Sequence, residues 1–378
     1  MHYNHRSHED KTALALIALC RQLPHHEHWM QWHSALTYYM TYVKSTLSAT
    51  APYAMLPSGV YSMNEMDDRN TFGLMHPIFS IFSAEDAARQ RELTFHGYAE
   101  QLQTGVKLND QWYLRRFPVW YSFRGNFHVQ LSLGKGVAAA SIYLNDTELY
   151  NVAQEQLAWI LGKNPFSESM MFGVGYDYGT QYAVLHGDTV GAMPVGLQSL
   201  EEGDAPFWPQ ASNATYREIW MAPAGKWMAM MADEYLPGVL CGTAEETVKC
   251  IHEGTGQAYE FQPRNHRVEG EVPAGRYMVH YRERTAPLTV VAGGRYALNQ
   301  VMCAFDIKAV QKDDTLYLTL MGYGDAFLQA DNVLLEETSF VLSGQTEATG
   351  RISSGEHPWE VVLRRRNTGE AVGMVYGV

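Results

Sequence analysis

One carboxylate set among aromatic side chains, Glu218 in the run Asn213-Ala-Thr-Tyr-Arg-Glu-Ile-Trp220, has the residue types that sugar cleavage requires. A glycosidic bond breaks through an oxocarbenium-like state, so one carboxylic acid must protonate the leaving oxygen while a second carboxylate works on the opposite face. The proton donor has to keep its hydrogen near neutral pH. Burial among Tyr216, Trp220 and Trp208 helps it do so by disfavouring charge. The positive end of a helix opening at Pro223 pulls the other way. A plainer reading makes Glu218 a carboxylate at a helix start, paired to Arg217 or Lys226.

Sugars present apolar C–H faces ringed by hydroxyls, so their subsites combine aromatic platforms with polar groups. The candidates are Trp120, Tyr121, Arg124, Asn126, His128, Tyr176, Tyr178, Tyr182, His186, Asp188 and Trp208, together with Tyr216 and Trp220. Core packing is the competing role for each aromatic, and His186-Gly-Asp188 reads equally as a hydroxyl-binding pair or a turn-stabilising one. His25, His26, His28 and His33 lack the spacing of a His-Glu-x-x-His site and predict a solvated helix start, with no metal. Gly173-Val-Gly175 and Gly134-Lys-Gly136 lack the strand-to-helix context of a phosphate-cradling loop. No cofactor is expected.

Helices must position these groups in the first part of the chain. Asp10 can cap a helix running to residue 23 with Leu14, Ile17 and Leu19 on its apolar face, and Pro24 stops it. Trp29, Trp32, Leu36, Tyr39 and Val43 recur at three- and four-residue steps and predict a second helix over about 26–47. Residues 51–118 predict a long irregular connection with one helix over about 83–103, the kind of segment that often carries function. Further helices are predicted over about 126–144, 147–161 and 223–235, with Gly162 as a stop and Pro223 as a first helical residue. Trp227-Met-Ala-Met-Met231 covers most of the last helix's circumference, as in a buried helix. After Leu236-Pro-Gly238 the apolar pattern alternates: residues 272–281, 288–296, 315–320, 339–342 and 359–364 read as strands.

The segments Leu161-Gly-Lys-Asn-Pro165, Phe172-Gly-Val-Gly175 and the Glu218 run resemble, in that order, the motifs of glycoside hydrolase family 9. The resemblance covers residues 121–235. It implies that residues 1–236 are the C-terminal part of an (α/α)6 barrel, a toroid of six helical hairpins, and that Glu218 is the general acid. It also implies that Arg124 and Asn126, in Tyr121-Ser-Phe-Arg-Gly-Asn126, stand at a helix start facing the cleft, and that the reaction is inverting hydrolysis of a β-glucan or related polysaccharide or oligosaccharide. Two family features are missing. The water-activating Asp-Ala-Gly-Asp-like motif has only Asp67-Asp68-Arg69 as its nearest counterpart, and Tyr182-Ala-Val-Leu-His-Gly-Asp188 takes the place of a Pro-His-His-Arg loop. The chain is therefore expected to be the back part of a larger enzyme with little or no activity alone. Turnover would point to a base within the chain, such as Asp188. A non-catalytic carbohydrate-binding or scaffold protein is the alternative, and a polysaccharide lyase using Tyr182 or His186 is a third. Val272-Pro-Ala-Gly-Arg-Tyr277 is similar to prealbumin-like and carboxypeptidase-regulatory-like modules, which places small antiparallel β-sandwiches at 237–298 and 299–378.

At 378 residues the chain is long enough for two or three domains. A net charge of −13, with no basic block beyond Arg364-Arg365-Arg366, argues against nucleic acid as a partner. The four cysteines, at 20, 241, 250 and 303, form no Cys-x-x-Cys pair; Cys241 and Cys250 can meet across a hairpin, but buried free thiols are the favoured reading. No apolar run reaches the roughly 18 residues of a membrane span, and the start has no signal core. Compartment and oligomeric state stay open.

Overall fold

The computed structural model describes residues 9–63, 85, 89, 96–97, 99–117, 126–144, 146–182, 187–199, 203–208, 217–290, 293–353 and 358–377. Among the described residues are the α-helices α1 (Asp10–Gln22), α2 (Trp29–Thr46), α3 (Phe127–Leu144), α4 (Thr147–Ile160), α5 (Met221–Tyr235) and the single turn α6 (Leu298–Val301). The first five stand close to where the apolar spacing predicts helices. Among the described residues strand nevertheless exceeds helix, 37% against 31%, and the helices are not part of an (α/α)6 toroid, which corrects the expected fold class. The physical reason is that a period of 3.6 marks one stripe of a helix for burial without saying what the stripe meets. By its internal contacts the chain forms two compact units: one takes residues up to 13, 39–139 and 148–231, the other 14–38, 140–147 and 232–378. Residues 14–38, which a toroid needs in a helical hairpin, thus cluster with the β-rich part.

In the first unit α3 crosses its neighbours at Gly134-Lys-Gly136. A Cβ on Gly136 would sit 3.3 Å from the Ala13 Cβ and 3.4 Å from the Asp10 Cα, and one on Gly134 would sit 2.9 Å from the Met230 sulfur. These glycines serve close helix approach rather than phosphate binding. Gln156 ties α4 to the chain before the first strand, accepting the Leu56 N–H at 2.9 Å and donating to the Ala54 carbonyl at 2.8 Å. Strands β1 (Gly59–Ser62), β2 (Val106–Lys107) and β3 (Trp112–Arg115) form a small antiparallel sheet with β3 in the middle, inside the stretch expected to be irregular. Arg115, fully buried, donates to the Ser199 hydroxyl at 2.8 Å and the Gly203 carbonyl at 2.9 Å. It thereby holds β4 (Gln198–Ser199) and β5 (Pro206–Phe207) to that sheet. The helix expected over 83–103 lies largely outside the described residues.

The second unit begins its β structure with β6 (Gly238–Thr243), β7 (Val248–His252), β8 (Ala258–Phe261), β9 (Arg267–Val272), β10 (Gly275–Tyr281), β11 (Arg284–Val290) and β12 (Arg295–Ala297). They form two sheets, β11-β10-β7-β8 and β12-β6-β9, which share one core including Leu240, Val248, Val268, Tyr277, Val279 and Leu288. The β12–β6 pair is parallel, so this sandwich is mixed rather than wholly antiparallel. Cys241 and Cys250 are free, as are Cys20 and Cys303, and burial pushes the Cys250 thiol up to about 12.

The remaining strands are β13 (Asp306–Lys312), β14 (Thr315–Asp331), β15 (Val333–Leu335), β16 (Ser339–Ile352), β17 (Trp359–Arg365) and β18 (Ala371–Gly377). They make one six-stranded antiparallel sheet in which the first half of β14 pairs with β13 and the second half with β17. Both halves send side chains into one core, Leu316, Leu318 and Leu320 from the first and Ala326 and Leu328 from the second, so the sheet folds over on itself. The fold comes where Gly322 pairs with Gly344, both at positive φ. A Cβ on Gly322 would lie 2.6 Å from the Phe305 ring at φ +149. Gly322→Ala should therefore cost about 2 kcal/mol through strain and overpacking, read as a lower denaturation midpoint; an unchanged midpoint would contradict the bend's dependence on this glycine.

Nearly every side chain of β17 is buried, because both of its faces are covered. Val361 and Leu363 face the strand core, whereas Val362 packs with Cys20 and Trp29 from the helical segment. On that helical side His33 lies 3.4 Å from Glu360, which also accepts the Ser34 hydroxyl at 2.7 Å. Of the four histidines expected at a solvated helix start, His25, His26 and His28 are exposed and His33 is buried.

Candidate functional site

Glu218 sits in a ladder of three short segments in the first unit. Isolated bridges pair Tyr182 with Glu218 and Pro194 with Ile219. The Tyr182 N–H donates to the Arg217 carbonyl at 3.0 Å, the Val195 N–H to the Glu218 carbonyl at 2.8 Å and the Trp220 N–H to the Met193 carbonyl at 2.9 Å. Residues 217–220 are thus the middle rung, with Tyr182 on one side and 193–195 on the other. On an extended segment residues two apart share a face, and Glu218 and Trp220 do so: the indole Nε1–H donates to Glu218 Oε2 at 2.9 Å, with both side chains half-buried. This bond fixes the orientation of one carboxylate oxygen.

Arg217, one residue earlier, takes the opposite side and is only 1% exposed. Its guanidinium lies 4.2 Å over the Trp208 ring, donates to the Thr180 carbonyl at 3.1 Å and stands 3.8 Å from Glu168. Burial lowers its pKa from the usual guanidinium range, and the charge of Glu168 opposes that shift. Gly179 has no room for a Cβ, which would run into Arg217 and Glu168. Lys226, the other cation considered for Glu218, reaches Asp10 at 2.6 Å.

The other candidates separate into positioning, exposed and buried groups. Asn126 stands at the start of α3, and its Oδ1 accepts the Leu197 N–H at 3.1 Å, so the amide steadies the segment that flanks Glu218. Gly196 in that segment, at φ +118, leaves no space for a Cβ against Phe127. His128 is buried in α3, and Trp208 is buried between Arg217 and Phe127, as a wall rather than an open platform. Tyr176 is fully exposed, Tyr178 is partly exposed with its ring edge-on to Phe172 at 5.1 Å, and Asp188 is exposed. Trp120, Tyr121, Arg124, His186 and Tyr216 lie outside the described residues, as does Asp67-Asp68-Arg69.

Two groups central to this geometry escape the sequence reading. Glu168, in the Ser-Glu-Ser run before Met170, accompanies the buried Arg217, and the Gln181 amide clamps residue 189 by donating to its carbonyl at 2.7 Å and accepting its N–H at 3.2 Å. The only signal for the first was an arginine beside a glutamate in an aromatic stretch, and for the second there was none. Among the described residues no group of three or more His, Cys, Asp or Glu side chains is placed to hold a metal ion. No helix among them is long and apolar enough to cross a membrane.

No model of a known family matches this chain, and no curated protein matches it. Among solved structures the chain is similar to the crystal structure of a DUF3823 family protein from Bacteroides ovatus ATCC 8483, at 10% identity and a TM-score of 0.16, over 37% of this chain and 97% of that one.

Proposed function

We propose that the chain engages a β-glucan or related polysaccharide at the face around Glu218, with Glu218 as the proton donor to a glycosidic oxygen. The observation that supports this reading is the Glu218–Trp220 pair. A half-buried carboxylate has one oxygen held by an indole N–H at 2.9 Å, its own carbonyl accepts the Val195 N–H, and the carbonyl of the preceding Arg217 accepts the Tyr182 N–H. Orientation of the acid before substrate arrives is what a proton donor needs, because misplacement is costly in rate. The second reading, binding without cleavage, draws its support from the sequence, which has no Asp-Ala-Gly-Asp-like pair to activate water.

Binding comes first and can be measured by itself. Calorimetric titration with cellohexaose should give a saturable isotherm, and Trp220→Phe, which keeps an aromatic face, though a smaller one, and deletes the N–H, should weaken it by about tenfold or less as the carboxylate loses its fixed orientation. Absence of saturable binding to cellohexaose and to xylo- and manno-oligosaccharides would overturn the proposal.

A further inference from the structure

The second unit carries a half-open cavity of about 510 Å³ that has no part in the Glu218 site. Small-molecule sites run from about 300 to 1,000 Å³. Its wall joins the helical residues Arg21 and Tyr143 to Arg276 of β10, Tyr296 of β12, Asp306 at the start of β13 and Tyr376 of β18.

The polar centre of this wall is the pair Arg276–Asp306, in which Arg276 Nη2 donates to Asp306 Oδ2. Asp306 is only 5% exposed, and Arg276 also stands 3.4 Å from Glu253. The Nε of Arg276 is the atom that faces the Glu253 carboxylate.

The charges decide the class of occupant. Arg21, Arg276 and Arg295 face Asp306 and Glu370 around the cavity, and Arg295 and Glu370 have partners of their own in Glu269 and Arg365. Near-balance gives an anion such as a phosphate little to hold it. An apolar ligand would bury the Arg276–Asp306 pair without replacing its water. A sugar ring satisfies both demands: adjacent hydroxyls donate to a carboxylate and accept from a guanidinium, while aromatic lining receives the C–H face.

We infer that this cavity is a second, non-catalytic saccharide site, which takes a neutral mono- or disaccharide whose vicinal hydroxyls bridge Arg276 and Asp306. It stands independently of the reading of Glu218.

The test is calorimetric titration of the full chain with glucose and cellobiose, with inorganic phosphate and glucuronate as charged controls. The site predicts saturable binding of a neutral sugar that Glu218→Gln leaves unchanged and that Asp306→Asn or Arg276→Met weakens by about tenfold or more. Because those two side chains are buried or partly so, each variant's thermal melt is recorded alongside. Gln300→Ala, at an exposed residue of the same lining, provides a variant that leaves the fold intact and should weaken binding a few-fold. Three results would overturn the inference: no saturable binding of either neutral sugar, tighter binding of phosphate or glucuronate than of cellobiose, or binding abolished by Glu218→Gln and indifferent to Gln300→Ala and Asp306→Asn.

Discussion

Glu218→Gln is expected to lower azide-assisted cleavage of cello-oligosaccharides by about 10²–10⁴-fold, the usual contribution of a positioned general acid. Azide is the informative partner because the sequence offers no evident water-activating aspartate pair. The small anion attacks the anomeric carbon in place of water, the C–O bond to the leaving sugar breaks with its electrons, and the proton on Glu218 passes to that oxygen. The products are a glycosyl azide and a free sugar hydroxyl. Substitution by glutamine preserves size and the hydrogen bond from Trp220 Nε1, which can pass to the amide oxygen, but removes the transferable proton. The diagnostic is dependence on the leaving group. A dinitrophenyl glycoside leaves without protonation, so its azide-assisted cleavage should lose less than about threefold in the same variant, since general-acid catalysis contributes only where the leaving oxygen needs a proton. Equal losses on both substrates would make Glu218 structural, and no azide-assisted cleavage of the natural linkage by the parent chain would favour binding without hydrolysis.

How much of this was legible in the sequence depends on whether the information was local. Helix positions were, because Trp29, Leu36 and Val43 repeat at helical steps regardless of what covers them, and α2 forms over Trp29–Thr46. The alternation of apolar residues in Leu316, Leu318 and Leu320 likewise shows as inward-facing positions of β14. Arrangement was not local. Nothing about Cys20 or Trp29 announces that they pack on Val362, more than three hundred residues away, and that contact separates the observed unit from a helical toroid. The doublet of β14 partners was also hidden, since the bend at Gly322 is fixed by a ring, Phe305, that arrives from outside the strand. At the site, Glu218 and Trp220 share a face because of their two-residue spacing, which any extended reading supplies. The burial of Arg217 against Trp208 and Glu168 depends on three loops meeting, and spacing within one of them cannot show it.

Acid should weaken the first unit through Asp10. This carboxyl is 5% exposed, accepts the Lys226 ammonium at 2.6 Å and takes the Ser132 hydroxyl at 2.7 Å. Burial by itself would raise its pKa, but the hydrogen bonds from Lys226 and Ser132, with the charge of Lys226, outweigh burial and hold it below the usual carboxylate range. A folded-state pKa below the unfolded value means that the unfolded chain binds the proton more readily. The stabilisation is therefore complete above the unfolded pKa of about 4 and is lost as the pH falls through the lower folded value. Denaturant titrations of the parent chain at pH 7 and near pH 3 should show this loss, and Asp10→Asn should remove Asp10's share of it. At pH 7, Asp10→Ala strands the Lys226 ammonium, which is mostly buried, and should cost about 3 kcal/mol. Lys226→Met leaves the carboxylate to Ser132 alone and should cost a similar amount. Because each single change leaves one charge without its partner, the double variant Asp10→Ala with Lys226→Met should cost less than the sum of the two. Strict additivity, or a pH dependence that survives Asp10→Asn undiminished, would show that α1 and α5 are held together by packing at Gly136 and Gly134 on α3 and owe nothing measurable to this pair.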